Sequence, residues 1–138
     1  MNRMDKIKIT VEAAVNPTED VDKVKIAVHK VLGEIPLQVL NDQYGARLFG
    51  RKEGLKALVT FRDLLRRELI LDAARRVLFS GLRGDTITFY LNKQVAYVGH
   101  VSFSQPEGES PLGPIRVDIQ CDNPRALINW LAPKTAQR

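Results

Sequence analysis

Hydrophobic and polar residues alternate strictly from Lys6 to Val15. Ile7, Ile9, Val11, Ala13 and Val15 fall on one side and Lys6, Lys8, Thr10 and Glu12 on the other, which is the period-2 signature of a strand buried on one face. Asn16-Pro17-Thr18 breaks the run, and Thr18 is placed to cap a helix whose positive end would be met by Glu19 and Asp20. Val21, Val24, Val28, Val31 and Leu32 then recur at helical spacing until Gly33, a residue suited to a left-handed stop. Ile35 to Leu40 reads as a second strand, with Pro36 tolerable at its start or at a sheet edge. A turn over Asp42 to Gly45 leads to a short strand, Ala46 to Gly50, and the two strands make a hairpin.

No Gly or Pro interrupts Leu55 to Ser80. At about 100° per residue, however, Leu58, Phe61 and Leu65 point one way, while Ile70, Ala73, Ala74 and Val77 point roughly 150° around from them. One helix would have to bury two nearly opposite sides, so the pattern predicts two helices with a break near Arg66 to Leu69. Gly81 and Gly84 end the second. From Asp85 the alternation predicts a β-hairpin with Asn92-Lys93-Gln94 as its loop. Leu91, Phe89 and Ile87 would then lie opposite Val95, Tyr97 and Gly99 on the core side, with Thr86, Thr88 and Tyr90 opposite His100, Val98 and Ala96 on the other. Ser104 to Pro114, rich in Pro, Gly, Ser and Glu, is a long connection. Ile115, Val117 and Ile119 form a last strand, and Asp122-Asn123-Pro124 caps a short helix carrying Leu127, Ile128 and Leu131. The expectation is one α+β domain over residues 1–133, mostly antiparallel sheet with helices packed on one face, and a frayed tail at 134–138.

Composition agrees with a folded domain: 138 residues, 44% apolar and 27% charged. A lone cysteine, Cys121, allows no intrachain disulfide, and neither a secretory signal nor a run long enough to span a bilayer is present. A cytoplasmic setting without membrane contact is expected. The net charge of +5 changes the picture more, because of where it lies. Residues 1–50 carry seven basic and seven acidic side chains, and residues 85–138 five and five. The whole excess sits in 51–84, where nine Lys and Arg face four Asp and Glu. A local basic excess attracts polyanions. The alternative is a set of solvated helical arginines paired with Asp63, Glu68 or Asp72.

Catalytic and metal patterns do not emerge. Ser110 lies in GESPLG, which is no nucleophile elbow. Two histidines and one cysteine lack zinc spacing, and Gly81-Leu-Arg-Gly84 is no phosphate loop. Glu107 and Glu109 could chelate a hard cation, though two carboxylates in a Pro/Gly loop are usually just solvated. The reading is a non-enzyme without cofactor or metal. Arginines provide phosphate contacts, while Asn, Gln and aromatic rings can engage RNA bases. The candidate RNA-binding residues are therefore Arg62, Arg66, Arg67, Arg75 and Arg76, with Lys93 at the hairpin tip beside them.

The strings LRRELILDAARRVL, TITFYLNKQVAYVGHVSF and GESPLGPI, with NPTEDVDKV near the start and INWLAP near the end, resemble an archaeal family of small proteins grouped as RNA-binding. The resemblance implies an α+β fold similar to the large-subunit ribosomal protein that binds 5S ribosomal RNA, and it makes RNA, ribosomal RNA included, the expected partner. Two readings stand beside RNA binding. One is a homo-oligomeric assembly module, such as a homodimer, joined through the polar hairpin face or a sheet edge. The other is an enzyme or small-ligand protein using the Glu107 to Pro114 loop.

Overall fold

Six antiparallel strands form one sheet, and a computed structural model describes residues 6–43, 45–106 and 113–135. The strands are β1 (Ile7–Val15), β2 (Leu37–Asp42), β3 (Gly45–Glu53), β4 (Leu82–Arg83), β5 (Thr86–Asn92) and β6 (Pro114–Cys121), in the order β2-β3-β1-β6-β5-β4. The first and last long strands of the chain are thus neighbours at the sheet's centre, in a register that pairs Ile9 with Ile119 and Val11 with Val117. Because side chains alternate, this register puts the apolar set of every long strand on the same face. Ile7 to Val15, Leu48, Ile87, Phe89, Leu91 and Ile115 to Cys121 contribute that face, and its alternate residues are buried.

The helices cover it. They are α1 (Val21–Leu32), α2 (Val59–Arg67), α3 (Leu71–Ser80), α4 (Lys93–Tyr97) and α5 (Pro124–Leu131), with a 3-10 turn at Leu55–Leu58. Val24, Val28, Val31, Phe61, Leu65, Ala74, Leu78, Leu127 and Leu131 complete the core. This is the α+β arrangement the pattern predicts.

The break between α2 and α3 falls where the apolar directions diverge, but no glycine makes it. Leu69 adopts φ 59° and is 88% exposed. The Ile70 N–H donates to the Leu65 carbonyl and the Leu69 N–H to the Arg66 carbonyl, both at 3.2 Å. These are the paired bonds of a Schellman termination, with leucine at the position glycine normally holds.

Three expectations need correcting. The helix after β1 is capped by Asp20, whose carboxylate accepts the Asp22 N–H at 2.9 Å, rather than by Thr18. Residues 16–19 form a turn of their own, with Glu19 folded back to accept both the backbone and side-chain N–H groups of Asn16. The strand at 46–50 is longer than its apolar run, because Gly45–Glu53 pairs along β1 as far as Lys8. The hairpin after Asp85 is not a hairpin. The Asn92 side chain accepts the Val95 N–H at 2.9 Å and starts α4, so Val95 to Tyr97 are helical. The chain returns to β5 only at Ser102 to Ser104, where Phe103 bridges Leu91. Of the long connection, residues 107–112 lie outside the described residues, as do 136–138 of the tail. Thr135 donates its hydroxyl to Asp72.

Candidate nucleic-acid interface

The six predicted cations divide into three kinds. Arg62 and Arg75 turn inward onto the end of α5. Arg62 donates from Nε to the Trp130 carbonyl at 3.1 Å and lies over the Trp130 ring, 4.7 Å from its centroid. Arg75 donates to the Ala132 carbonyl at 3.1 Å and to Asn129 Oδ1 at 2.8 Å, and stacks on Phe79. The last carbonyls of a helix are unsatisfied and form its negative end, so two guanidinium groups there hold α5 against α2 and α3. Both arginines belong to the packing of the domain.

Lys93 is farther from the expected role. Among the described residues it is the one buried charged side chain, 5% exposed, and its ammonium donates to the Ala14 carbonyl at 2.5 Å and to Glu19 Oε1 at 2.9 Å. Burial pushes the Glu19 carboxyl up, but the Asn16 hydrogen bonds and the Lys93 ammonium outweigh this and hold it below its ordinary 4.5. A lysine enclosed in this way cannot also serve as a surface phosphate contact. It ties the start of α4 to the turn between β1 and α1, bringing NPTED and LNKQ together. The signal that could have placed it inward is Asn92, a helix cap directly before it.

Arg66, Arg67 and Arg76 remain. All three are exposed, the first two at the end of α2 and the third on α3. Among the described residues the ion pairs are Arg47–Glu12, Lys93–Glu19, His100–Glu68 and Arg116–Asp118. Glu68, a proposed partner of the helical arginines, instead accepts the Val101 N–H and meets His100. The three arginines therefore carry charge that is not neutralised by the expected helical carboxylates.

The opposite face of the sheet is a second candidate surface. Its register aligns Gln38, Phe49, Glu12, Arg116 and Tyr90 in one row across five strands, and Arg51, Thr10, Asp118 and Thr88 in the next. No helix among the described residues covers it. Its charges are largely matched. Arg47 pairs with Glu12 at 2.6 Å and Arg116 with Asp118 at 3.0 Å, the Asp118 carboxylate raising the Arg116 pKa further. Such a face has little net attraction for phosphate.

Other chemistry is sparse. Cys121 is buried, and burial pushes its thiol above the ordinary 9.0, so it is a poor nucleophile. Among the described residues no group of three His, Cys, Asp or Glu converges as a metal site, and no helix is long and apolar enough to cross a membrane.

A family model described as RNA binding matches residues 8–121. A UPF0201 protein of Sulfurisphaera tokodaii is 46% identical over 130 residues, covering 94% of this chain and 90% of that protein. One from Aeropyrum pernix is 43% identical over 135 residues, covering 96% and 89%. The crystal structure of a UPF0201 protein from Methanococcus jannaschii superposes with a TM-score of 0.82 at 35% identity, over 91% of this chain and 99% of that one. A DUF54 protein from Methanothermobacter thermautotrophicus, at 18% identity and a TM-score of 0.61 over 92% and 99% of the two chains, shares the fold. With its model matched over most of its length and relatives this similar from end to end, the chain belongs to the archaeal UPF0201 family, described as RNA binding.

Proposed function

We propose that this protein binds RNA without catalysis, through Arg66, Arg67 and Arg76. The observation that carries the proposal is the exposure of these arginines without ion-pair partners among the described residues, in a chain of an RNA-binding family. Arg62 and Arg75 act indirectly, by holding α5 and the helices that present the other three. Lys93 is no part of the surface. Ribosomal RNA is the first ligand to try, on the fold likeness to the 5S-binding ribosomal protein that the family resemblance implies.

Phosphate contacts release counterions, so affinity should fall linearly with salt on a log–log scale. Replacing Arg66, Arg67 and Arg76 with Gln removes three charges and keeps the side-chain stems. The slope should shrink by about 2 to 3 in the triple variant, since each lost contact contributes roughly 0.7–0.9. Unchanged affinity and slope would overturn the assignment. Arg75→Ala is a poor probe, because it strips two hydrogen bonds from the end of α5.

A second reading is pairing of two copies along β2. This strand ends the sheet with no outer partner among the described residues, and leaves Val39 38% and Leu40 44% exposed. Open apolar edges are templates for strand addition. A strict monomer by light scattering at high protein concentration would exclude it.

A further inference from the structure

A recess of about 770 Å³ opens along the outer margin of β5, between the last turn of α3, β4 and the segment after Phe103. It exists because β5 has two different neighbours on that side. Thr88 donates its N–H to the Gly81 carbonyl at 3.0 Å, whereas the returning chain joins only at Tyr90, whose carbonyl accepts the Ser104 N–H at 2.9 Å. On the core side the gap is backed by aromatic rings. Phe89 stacks on buried Phe61 with centroids 5.2 Å apart, and Phe103 meets Phe89 edge-on at 5.9 Å. Phe103 and Tyr90 both line it and are only half-buried, Phe103 from the core face and Tyr90, with Arg83, from the open face, so the recess wraps around the margin of β5. Arg76 and Arg83 stand at its walls, and Gln105 supplies an amide. Arg83 is steadied by donating one Nη1 group to the carbonyls of Ser80 and Leu82, which leaves its other N–H groups for a ligand. No acidic residue lines the recess among the described residues.

The geometry points to a site for one unstacked ribonucleotide of a single-stranded RNA segment, its base against Tyr90 and its flanking phosphates on Arg83 and Arg76. This deepens the RNA-binding reading above and rests on it. Aromatic rings beside arginines are sequence-tolerant platforms for splayed bases, and the volume lies within the roughly 300–1,000 Å³ of small-ligand sites. An A-form duplex keeps its base faces stacked and so cannot use an aromatic floor.

The test compares the wild-type chain with a double variant, Tyr90→Leu with Arg83→Gln, against a fluorescent oligouridine, a blunt RNA duplex and uridine monophosphate. Thermal melting checks the variant's fold, and a 4-thiouridine crosslink on the wild type, mapped by peptide mass, serves as the readout that needs no variant. The expected result is a loss of at least about tenfold for oligouridine, the scale of one lost base stack, with duplex affinity unchanged and the crosslink at Tyr90. Equal losses for both RNAs, no loss for oligouridine, or a crosslink elsewhere would overturn the site. Wild-type binding to duplex but not oligouridine would overturn it while leaving RNA binding intact, and binding to neither would remove both. Uridine monophosphate binding as tightly as oligouridine would make it a free-nucleotide site and overturn the RNA assignment.

Discussion

Replacing Lys93 with Met keeps an unbranched apolar stem and removes the ammonium from its enclosed position. Glu19, whose side chain is only 11% exposed, then stays charged beside an apolar group, and the Ala14 carbonyl loses a donor. Breaking a buried pair by removing one partner typically costs 3–5 kcal/mol. The low end, about 3 kcal/mol, applies here, because Glu19 Oε1 retains two N–H donors from Asn16 at 3.0 Å. Urea denaturation measures it directly. With a slope of about 1.5 kcal/mol/M, the midpoint falls by about 2 M. Adding Glu19→Gln to Lys93→Met removes the stranded carboxylate, so the double variant should be at least as stable as the single one. The pH dependence follows from the sign of the shift. Glu19 is held below 4.5, so its contribution is fully present above that value and is lost as pH falls through the folded-state pKa. The gap between wild type and Lys93→Met should therefore narrow as the buffer is made acid, because the variant's carboxylate, still buried but without the ammonium, protonates before the wild-type one does. A loss under about 1 kcal/mol for Lys93→Met at pH 7, or additive losses in the double variant, would refute the reasoning that a buried, coupled pair anchors α4.

Two further changes test local geometry. A Cβ added at Gly81 would lie 1.9 Å from the Thr88 carbonyl oxygen, which cannot yield without opening the β4–β5 attachment; Gly81→Ala should cost about 3 kcal/mol or more by urea denaturation, and a cost below about 1 would show that α3 ends elsewhere. Leu69→Gly removes an exposed side chain from a left-handed position, relieving about 1–2 kcal/mol of strain against about 0.4–1 of added unfolded-state entropy, so the melting temperature should rise by about 2–3 °C, and a fall would mean Leu69 makes a contact that matters.

Much of the fold was legible from periodicity. β1, α1, β6 and α5 announce themselves because a period of 2 or 3.6 can be satisfied on only one face, and the α2–α3 break follows from two incompatible apolar directions even though Leu69 offers no residue-type signal. Local pattern failed at residues 93–101, where an apolar alternation that suits a strand also suits one helical turn. A contact across the domain decides between them: Lys93 reaches Glu19, 74 residues away in the chain. The candidate site was legible only in part for the same reason. The charge excess between residues 51 and 84 is a property of sequence, but sequence could not separate Arg75, folded onto Ala132, from Arg76 beside it, which faces outward. Nor could it bring Arg76, Arg83, Tyr90 and Phe103 to one recess. Pattern determines which face of an element is buried, because burial is a local question of spacing. Which charges are used up inside the fold and which are left for a partner is decided by tertiary contacts between distant segments, and those set where this protein presents its positive surface.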